Sequence, residues 1–334
     1  MNNKRVSSVT LTILTESPVA LSNDQSFGTY TPIKKYFYKD GRHAMTSVPT
    51  VTYELRKSLI CSGKLSPDSI VIKSKNLHPK ELGIESDVFG YLIPKNKENK
   101  QQSKTSPIRI IPFISVHTFK NDTQLITNRG YLDINLGREY YEEKGKELKR
   151  IAIEEVIKTQ ALAYEEVFGD YYTYTVTLEL DRIGVIETDE KGNRLPIDKR
   201  VYFDEKDRKE IVKNILTALI EFTRQIKHQT VHLKPLAVFG GAFPKVIPYF
   251  WNDIEFDEYQ NVLILDNIKN TIEDYDLNDG NGYLITAVDR RIRVKNEDKY
   301  RGEGLDIRGK TPVKAIKELI EKLELKDNKW YLKE

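Results

Sequence analysis

An α+β fold is predicted by three observations. Residues 5–14 and 171–183 alternate apolar and polar positions with the period of a strand, two strong amphipathic helices follow such runs, and further strand signals lie between and after them. In chain order these read strand, helix, strand, strand, helix, strand. That is the βαββαβ signature of a ferredoxin-like, RRM-like core, here swollen by long insertions. Such a sheet is expected to leave one face free.

Each element has its own local reason. In 5–14, Val9, Leu11 and Ile13 take one face and Thr10, Thr12 and Leu14 the other. A helix over 48–61 follows from Ser47 as cap, Pro49 near its first turn, and Val51, Leu55 and Leu59 at i, i+4, i+8. SIVIKS at 69–74 suits a short strand. PKNKENKQQSKTSP at 94–107 has no apolar residue besides its prolines, and predicts a mobile basic loop that buries nothing. IRIIPFISVH at 108–117 is a buried strand in which Pro112 predicts an edge or a bulge.

Residues 139–168, EYYEEKGKELKRIAIEEVIKTQALAYEEVF, are helix-prone apart from Gly145, but Leu148, Ile151, Val156 and Ile157 make no continuous stripe. A projecting insertion is expected there. In 171–183, Tyr172, Tyr174, Val176, Leu178 and Leu180 share one face. Asp204 is placed to cap the next helix, whose stripe is Ile211, Ile215, Leu219, Phe222 and Ile226. Strands are expected at 234–243 and 262–267. The last helix begins with Thr311 as cap and Pro312 at its first position.

At 334 residues and 39% apolar, the chain can bury a sizeable core as one large or two modest domains. Its 53 basic and 50 acidic residues nearly cancel, so attraction for polyanions must come from local clustering. Cys61 is the single cysteine and cannot form an intrachain disulfide, which suits a reducing, cytoplasmic compartment. No run of eighteen apolar residues predicts a membrane span.

The clustering is found between Gln25 and Tyr53. Lys34, Lys35, Lys39 and Arg42 stand there against the single carboxylate Asp40, interleaved with Phe27, Tyr30, Tyr36, Phe37, Tyr38 and Tyr53. Cations alternating with flat rings suit a phosphate backbone carrying unstacked bases. The start of the following helix offers its free amides with Ser47 and Thr50, which suits phosphate. A solvated lysine loop with tyrosines packed beside a sheet fits the same composition, and both readings stand at this point.

Motifs for catalysis and metal binding are weak. His228 and His232 stand four apart, but Gln229 replaces the glutamate of a zinc-binding HExxH helix and Val231 and Leu233 favour extended chain. With Lys227, they suit a polar loop meeting RNA or a neighbouring copy, so Lys227 and His228 join the candidate contacts. DYDLNDGNG at 274–282 has Gly280 where a calcium ligand belongs. Asp24 is a carboxylate without a partner, and GxSxG, Walker A and GxGxxG motifs are absent. The expectation is a non-enzyme with no metal and no cofactor.

Several of these pieces occur together in one family. The strand leading to a Ser/Asn loop, AMTSVPTVTYELRKSL, DVFGYLI at 87–93, ISVHTFKNDTQLITNRG at 114–130, YTYTVTLELDRIG at 172–184 and TRQIKHQTVHLKPLAVFGG at 223–241 resemble the repeating backbone subunit of type I CRISPR Cascade complexes. The nearest branch is the DevR-like autoregulators, usually of subtype I-B. The resemblance implies a palm over 1–245 with fingers at about 60–107 and a thumb within about 118–171, and leaves 246–334 as an extension packing on the palm. Within that insertion the thumb falls at about 155–171, and 187–200 is a second candidate.

The resemblance also implies a chain that polymerises along CRISPR RNA and presents it for pairing with target DNA, in company with further copies of itself and other Cascade subunits. By position, RNA contacts fall on Lys34, Lys35, Arg42, His43, Thr46, Ser47, Thr50 and Arg56. Two alternatives are a metal-dependent RNase of the related type III backbone kind, in which Asp24 would act, and a solitary RNA-binding regulator.

Overall fold

In the computed structural model the described residues are 4–73, 76–95, 100–126, 137, 139–152, 163–189, 191–226, 229–257, 260–280, 282–302, 305 and 307–333. The central elements in chain order are β1 (Ser8–Ser17), α1 (Val48–Cys61), β2 (Ile108–Ser115), β3 (Asp170–Glu179), α2 (Glu205–Ile220), β4 (Ala237–Phe243), β5 (Tyr283–Val288) and α3 (Pro312–Lys322). The five strands form one antiparallel sheet in the order β2-β3-β1-β4-β5.

Period two decides what each face of the sheet buries. Val9, Leu11 and Ile13 of β1 lie beside Tyr174, Val176 and Leu178 of β3, and the three helices cover this face. α1 contributes its predicted stripe of Val51, Leu55 and Leu59, and α3 contributes Ala315, Ile316 and Leu319. α2 contributes Ile211, Ile215 and Leu219 but ends at Ile220, so that Phe222 and Ile226, expected on the same stripe, lie beyond the helix, Ile226 in a strand. Ser47 accepts the Thr50 amide at the start of α1, and Thr311 does the same for Lys314 at the start of α3. Asp204 stands at the N-cap of α2, but its side chain does not close the cap.

Pro112 sits inside a register shift between Ile111 and Ile114, on the strand at one edge of the sheet. A proline cannot donate to a ladder, so it is accommodated at both predicted features together.

Four expectations need correction. First, the second face of the sheet is not free over its β1–β4–β5 half. Leu14, Phe239, Phe243 and Val288 from the sheet pack there with Phe250, Ile254, Leu263, Ile268 and Ile292 from the chain after β4. Three phenylalanines and a branched aliphatic set require burial, and the sheet face provides it.

Second, the described parts of 139–168 are strands. Tyr140–Lys144 pairs with Glu147–Ile151 across Gly145 (φ 70°) and Lys146, a two-residue hairpin with glycine where the turn needs positive φ. Ala163–Glu166 pairs with Thr123–Ile126 and with Tyr30–Thr31. Residues 153–162, which include much of the expected thumb, lie outside the described residues. Third, Thr223–Ile226 and Gln229–His232 form a hairpin rather than a loop.

Fourth, the basic segment 94–107 does bury something. Gln102–Lys104 pairs with Tyr91–Ile93, and Lys104 is only 4% exposed. Its ammonium bonds Asp87 and the carbonyls of Arg182 (2.8 Å) and Val185 (3.0 Å). Asp87 also accepts the Gly184 amide at 2.6 Å. Every donor and acceptor is satisfied, which is the condition under which a lysine can be buried. Burial pushes Asp87 up and Lys104 down from their ordinary pKa values, against their mutual attraction.

Candidate nucleic-acid interface

Between β1 and α1 the cationic stretch folds into a hairpin, Lys35–Tyr38 against Gly41–Ala44. Pairing places Phe37 opposite Arg42 and Lys35 opposite Ala44 on one face, and Tyr36 opposite His43 with Tyr38 on the other. The hairpin and the chain leaving it are held to the sheet edge through residues 113–119. The Ala44 amide bonds Ser115 Oγ at 2.9 Å, the Phe119 amide bonds the Arg42 carbonyl at 2.6 Å, and the Thr46 amide bonds the Phe113 carbonyl at 2.9 Å.

The candidate residues separate into three groups. Lys34 and Arg42 have no ion-pair or hydrogen-bond partner for their side chains among the described residues, and Arg42 is exposed beside Phe37, itself 74% exposed. The Met45 amide bonds the Lys34 carbonyl at 3.0 Å, which sets Lys34 next to the chain entering α1. Ser47, Thr50 and Arg56 lie on α1. The Ser47 and Thr50 hydroxyls share a 2.7 Å hydrogen bond, and the Arg56 guanidinium lies 4.6 Å from the Phe89 ring with its Nε 3.4 Å from Glu85.

Lys35, His43 and Thr46 turn inward. Lys35 Nζ bonds both Glu166 oxygens, at 2.7 and 2.6 Å, and lies 4.5 Å from the Phe119 ring. Burial works to raise the Glu166 pKa, and hydrogen bonds from Lys35, Tyr30 and the Ile33 amide outweigh it, so the carboxyl sits below its ordinary value. His43 is 3% exposed and is held between the Ser115 carbonyl at 2.8 Å and Asp40 at 3.1 Å. Thr46 is fully buried. Lys227 and His228 lie outside the described residues.

A groove of about 610 Å³ continues the surface from the start of α1. Val48, Thr52, Tyr53 and Arg56 form one wall, and Phe89 and the β2 edge at Ile108–Ile110 form the other. Tyr53 is 61% exposed and Arg109 opens onto the same groove. The hairpin offers two cations without partners among the described residues, the groove offers Arg56 and Arg109, paired with Glu85 at 3.4 Å and Glu179 at 2.5 Å, and exposed rings and a capped helix start lie beside them. That combination can hold phosphates singly and bases by stacking.

The sequence did not single out Arg109, whose only signal was its place on a strand predicted to be an edge. Asp24, the residue that a metal-dependent RNase would use, accepts the Gln25 amide at 2.9 Å. Among the described residues no three His, Cys, Asp or Glu side chains are placed to hold a metal. Among them, too, no helix is long and apolar enough to cross a membrane.

A family model described as CRISPR-associated negative auto-regulator DevR/Csa2 matches residues 80–263. Among solved structures, a chain of a CRISPR RNA-guided surveillance complex aligns over 94% of this chain and 98% of its own, with a TM-score of 0.54 and 12% identity. A chain of a CRISPR RNA-guided surveillance complex in a pre-nicking state aligns over 94% and 99%, with a TM-score of 0.51 and 11% identity. At those identities the shared property is the fold. No curated protein matches the sequence.

Proposed function

The chain belongs to the CRISPR-associated negative auto-regulator DevR/Csa2 family, and from that premise we propose that it is a non-catalytic, CRISPR RNA-binding backbone subunit of a type I Cascade complex, of subtype I-B. Copies polymerise along the guide and present its bases for pairing with target DNA, alongside the other Cascade subunits. The core is then an RRM-like palm. The strand order β2-β3-β1-β4, with α1 and α2 on one face, supports that description, with the hairpins of 70–104 and 123–166 as fingers and thumb.

One observation carries the reading: among the described residues the side chains of Lys34 and Arg42 stand without partners, Arg42 opposite exposed Phe37 and Lys34 by the chain entering the capped start of α1, next to a groove that holds Tyr53, Arg56 and Arg109. Phosphates are held by these cations, Ser47 and Thr50. Specificity comes from guide pairing and not from protein contacts to bases.

Co-expression with a CRISPR array tests the proposal. A large particle containing guide-length RNA, which falls to small species on RNA digestion, supports it; a monomer without RNA in the presence of partner subunits overturns it. The family's auto-regulator description favours one second reading, a solitary RNA-binding regulator that stays monomeric on long RNA. Metal-dependent RNA cleavage lost in Asp24→Asn would replace both with a nuclease.

A further inference from the structure

The hairpin's other face opens onto a separate cleft of about 320 Å³. Tyr38, Asp40 and His43 form one wall, and Ile111, Ile114, Thr173 and Thr175 from β2 and β3 form the floor. The opposite wall is Trp251, Asn252, Glu255 and Phe256, from the chain that covers the rest of this sheet face. Two contacts close the cleft at one end: the Tyr38 hydroxyl bonds Asn252 Oδ1, and Lys39 Nζ lies 3.4 Å from the Asn252 carbonyl.

We propose that this cleft receives one unpaired nucleobase. The inference rests on the nucleic-acid reading of the hairpin's first face. The volume suits a base and its sugar but not a paired duplex. Trp251 is 44% exposed and has no ring partner among the described residues, whereas Trp330 is 1% exposed and bonds the Leu180 carbonyl.

An exposed indole beside a cleft whose walls carry a tyrosine and a phenylalanine is a stacking platform, since every base has a π-face. The Asn252 amide group, the Thr173 hydroxyl and the second oxygen of Asp40 provide donors and an acceptor for a base edge. Asp40 and Glu255 set against Lys39 leave the cleft without excess positive charge, which disfavours phosphate there. Phosphate goes to Arg42 and Lys34 outside, and the base turns in.

Because Trp251 is the exposed one of two tryptophans, its emission reads the cleft directly. The intact protein is titrated with an oligoribonucleotide of about 12 nucleotides, within the span of a single-strand site. The same is done with the matching deoxy strand and with an abasic ribose-phosphate strand, and binding is followed in parallel by anisotropy. The RNA should bind and quench Trp251, while the abasic strand binds without quenching. Quenching by RNA alone identifies a guide base; quenching by DNA as well identifies a base of the target strand.

Thr173→Phe, which fills the cleft, should abolish quenching and lower RNA affinity roughly 5- to 100-fold, toward that of the abasic strand, the range of one lost base stack. Asn252→Ala, at the rim, serves if Thr173→Phe does not fold, and should weaken quenching in the same direction. RNA binding with no emission change, or equal quenching by the abasic strand, overturns the cleft assignment and leaves the proposed function intact. No binding of any strand overturns both.

Discussion

Lys35 and Arg42 lie on one face of one hairpin, yet the structure gives them different work. Lys35 is tied to Glu166 and joins the hairpin to the arm carrying residues 163–166, while Arg42 points into solvent. Lys34→Glu with Arg42→Glu should therefore weaken guide RNA binding and flatten its salt dependence by at least about 1 in log–log slope, with the melting temperature unchanged. An unchanged slope would move the phosphate contacts elsewhere.

The Lys35–Glu166 pair predicts a pH effect whose sign is fixed. Glu166 titrates below its ordinary value in the folded chain, so its contribution to stability is fully present above the ordinary carboxylate pKa and is lost as pH falls through the folded one. Hydrogen exchange at the Ile33 amide, which Glu166 accepts at 2.7 Å, should accelerate in that acid range. Glu166→Gln should remove the acid dependence. Lys104→Met leaves Asp87 buried without its cation and should cost about 3–5 kcal/mol in denaturant unfolding, far more than removing any exposed lysine of the same segment.

At the level of elements, the strands and helices with clean periodicity were legible in the sequence. β1, β3, α1, α2 and α3 follow from alternation, stripes and caps, and Pro112 located both an edge and a bulge. The hairpin over 140–151 was hidden because its glutamates, lysines and leucine favour helix locally, and only Gly145 at positive φ reveals the turn. The burial of Lys104 and the inward turn of Lys35 were illegible for another reason. Their partners Asp87 and Glu166 are 17 and 131 residues away, and no local pattern reports such pairs.

Of the site, the cations, rings and helix cap could be read. The groove and the cleft could not, since each is built from segments far apart in sequence. One element carries a sharp test. Gly240 in β4 has φ 150°, and a Cβ there would stand 2.0 Å from the Thr10 carbonyl of β1. Gly240→Ala should lower the melting temperature by more than backbone strain of about 1–3 kcal/mol alone would explain, because the β1–β4 ladder must also part.

For the whole molecule, the question is whether the chain through residue 245 can stand alone. Removing 246–334 would uncover Leu14, Phe239 and Phe243 on one face, strip α3 from Val238 and Ala242 on the other, and leave β4 as an open edge without β5. An apolar strand exposed on both faces and along its edge is a template for aggregation. A chain ending at residue 245 should therefore fail to accumulate as a soluble monomer. In the intact protein, the β4 amides should be as protected from hydrogen exchange as those of β1. If the shortened chain instead unfolded cooperatively and kept the intact chain's RNA affinity, the extension would be an accessory layer. Because that chain lacks the cleft wall at 251–256, an unchanged RNA affinity would also overturn the assignment of a base to that cleft.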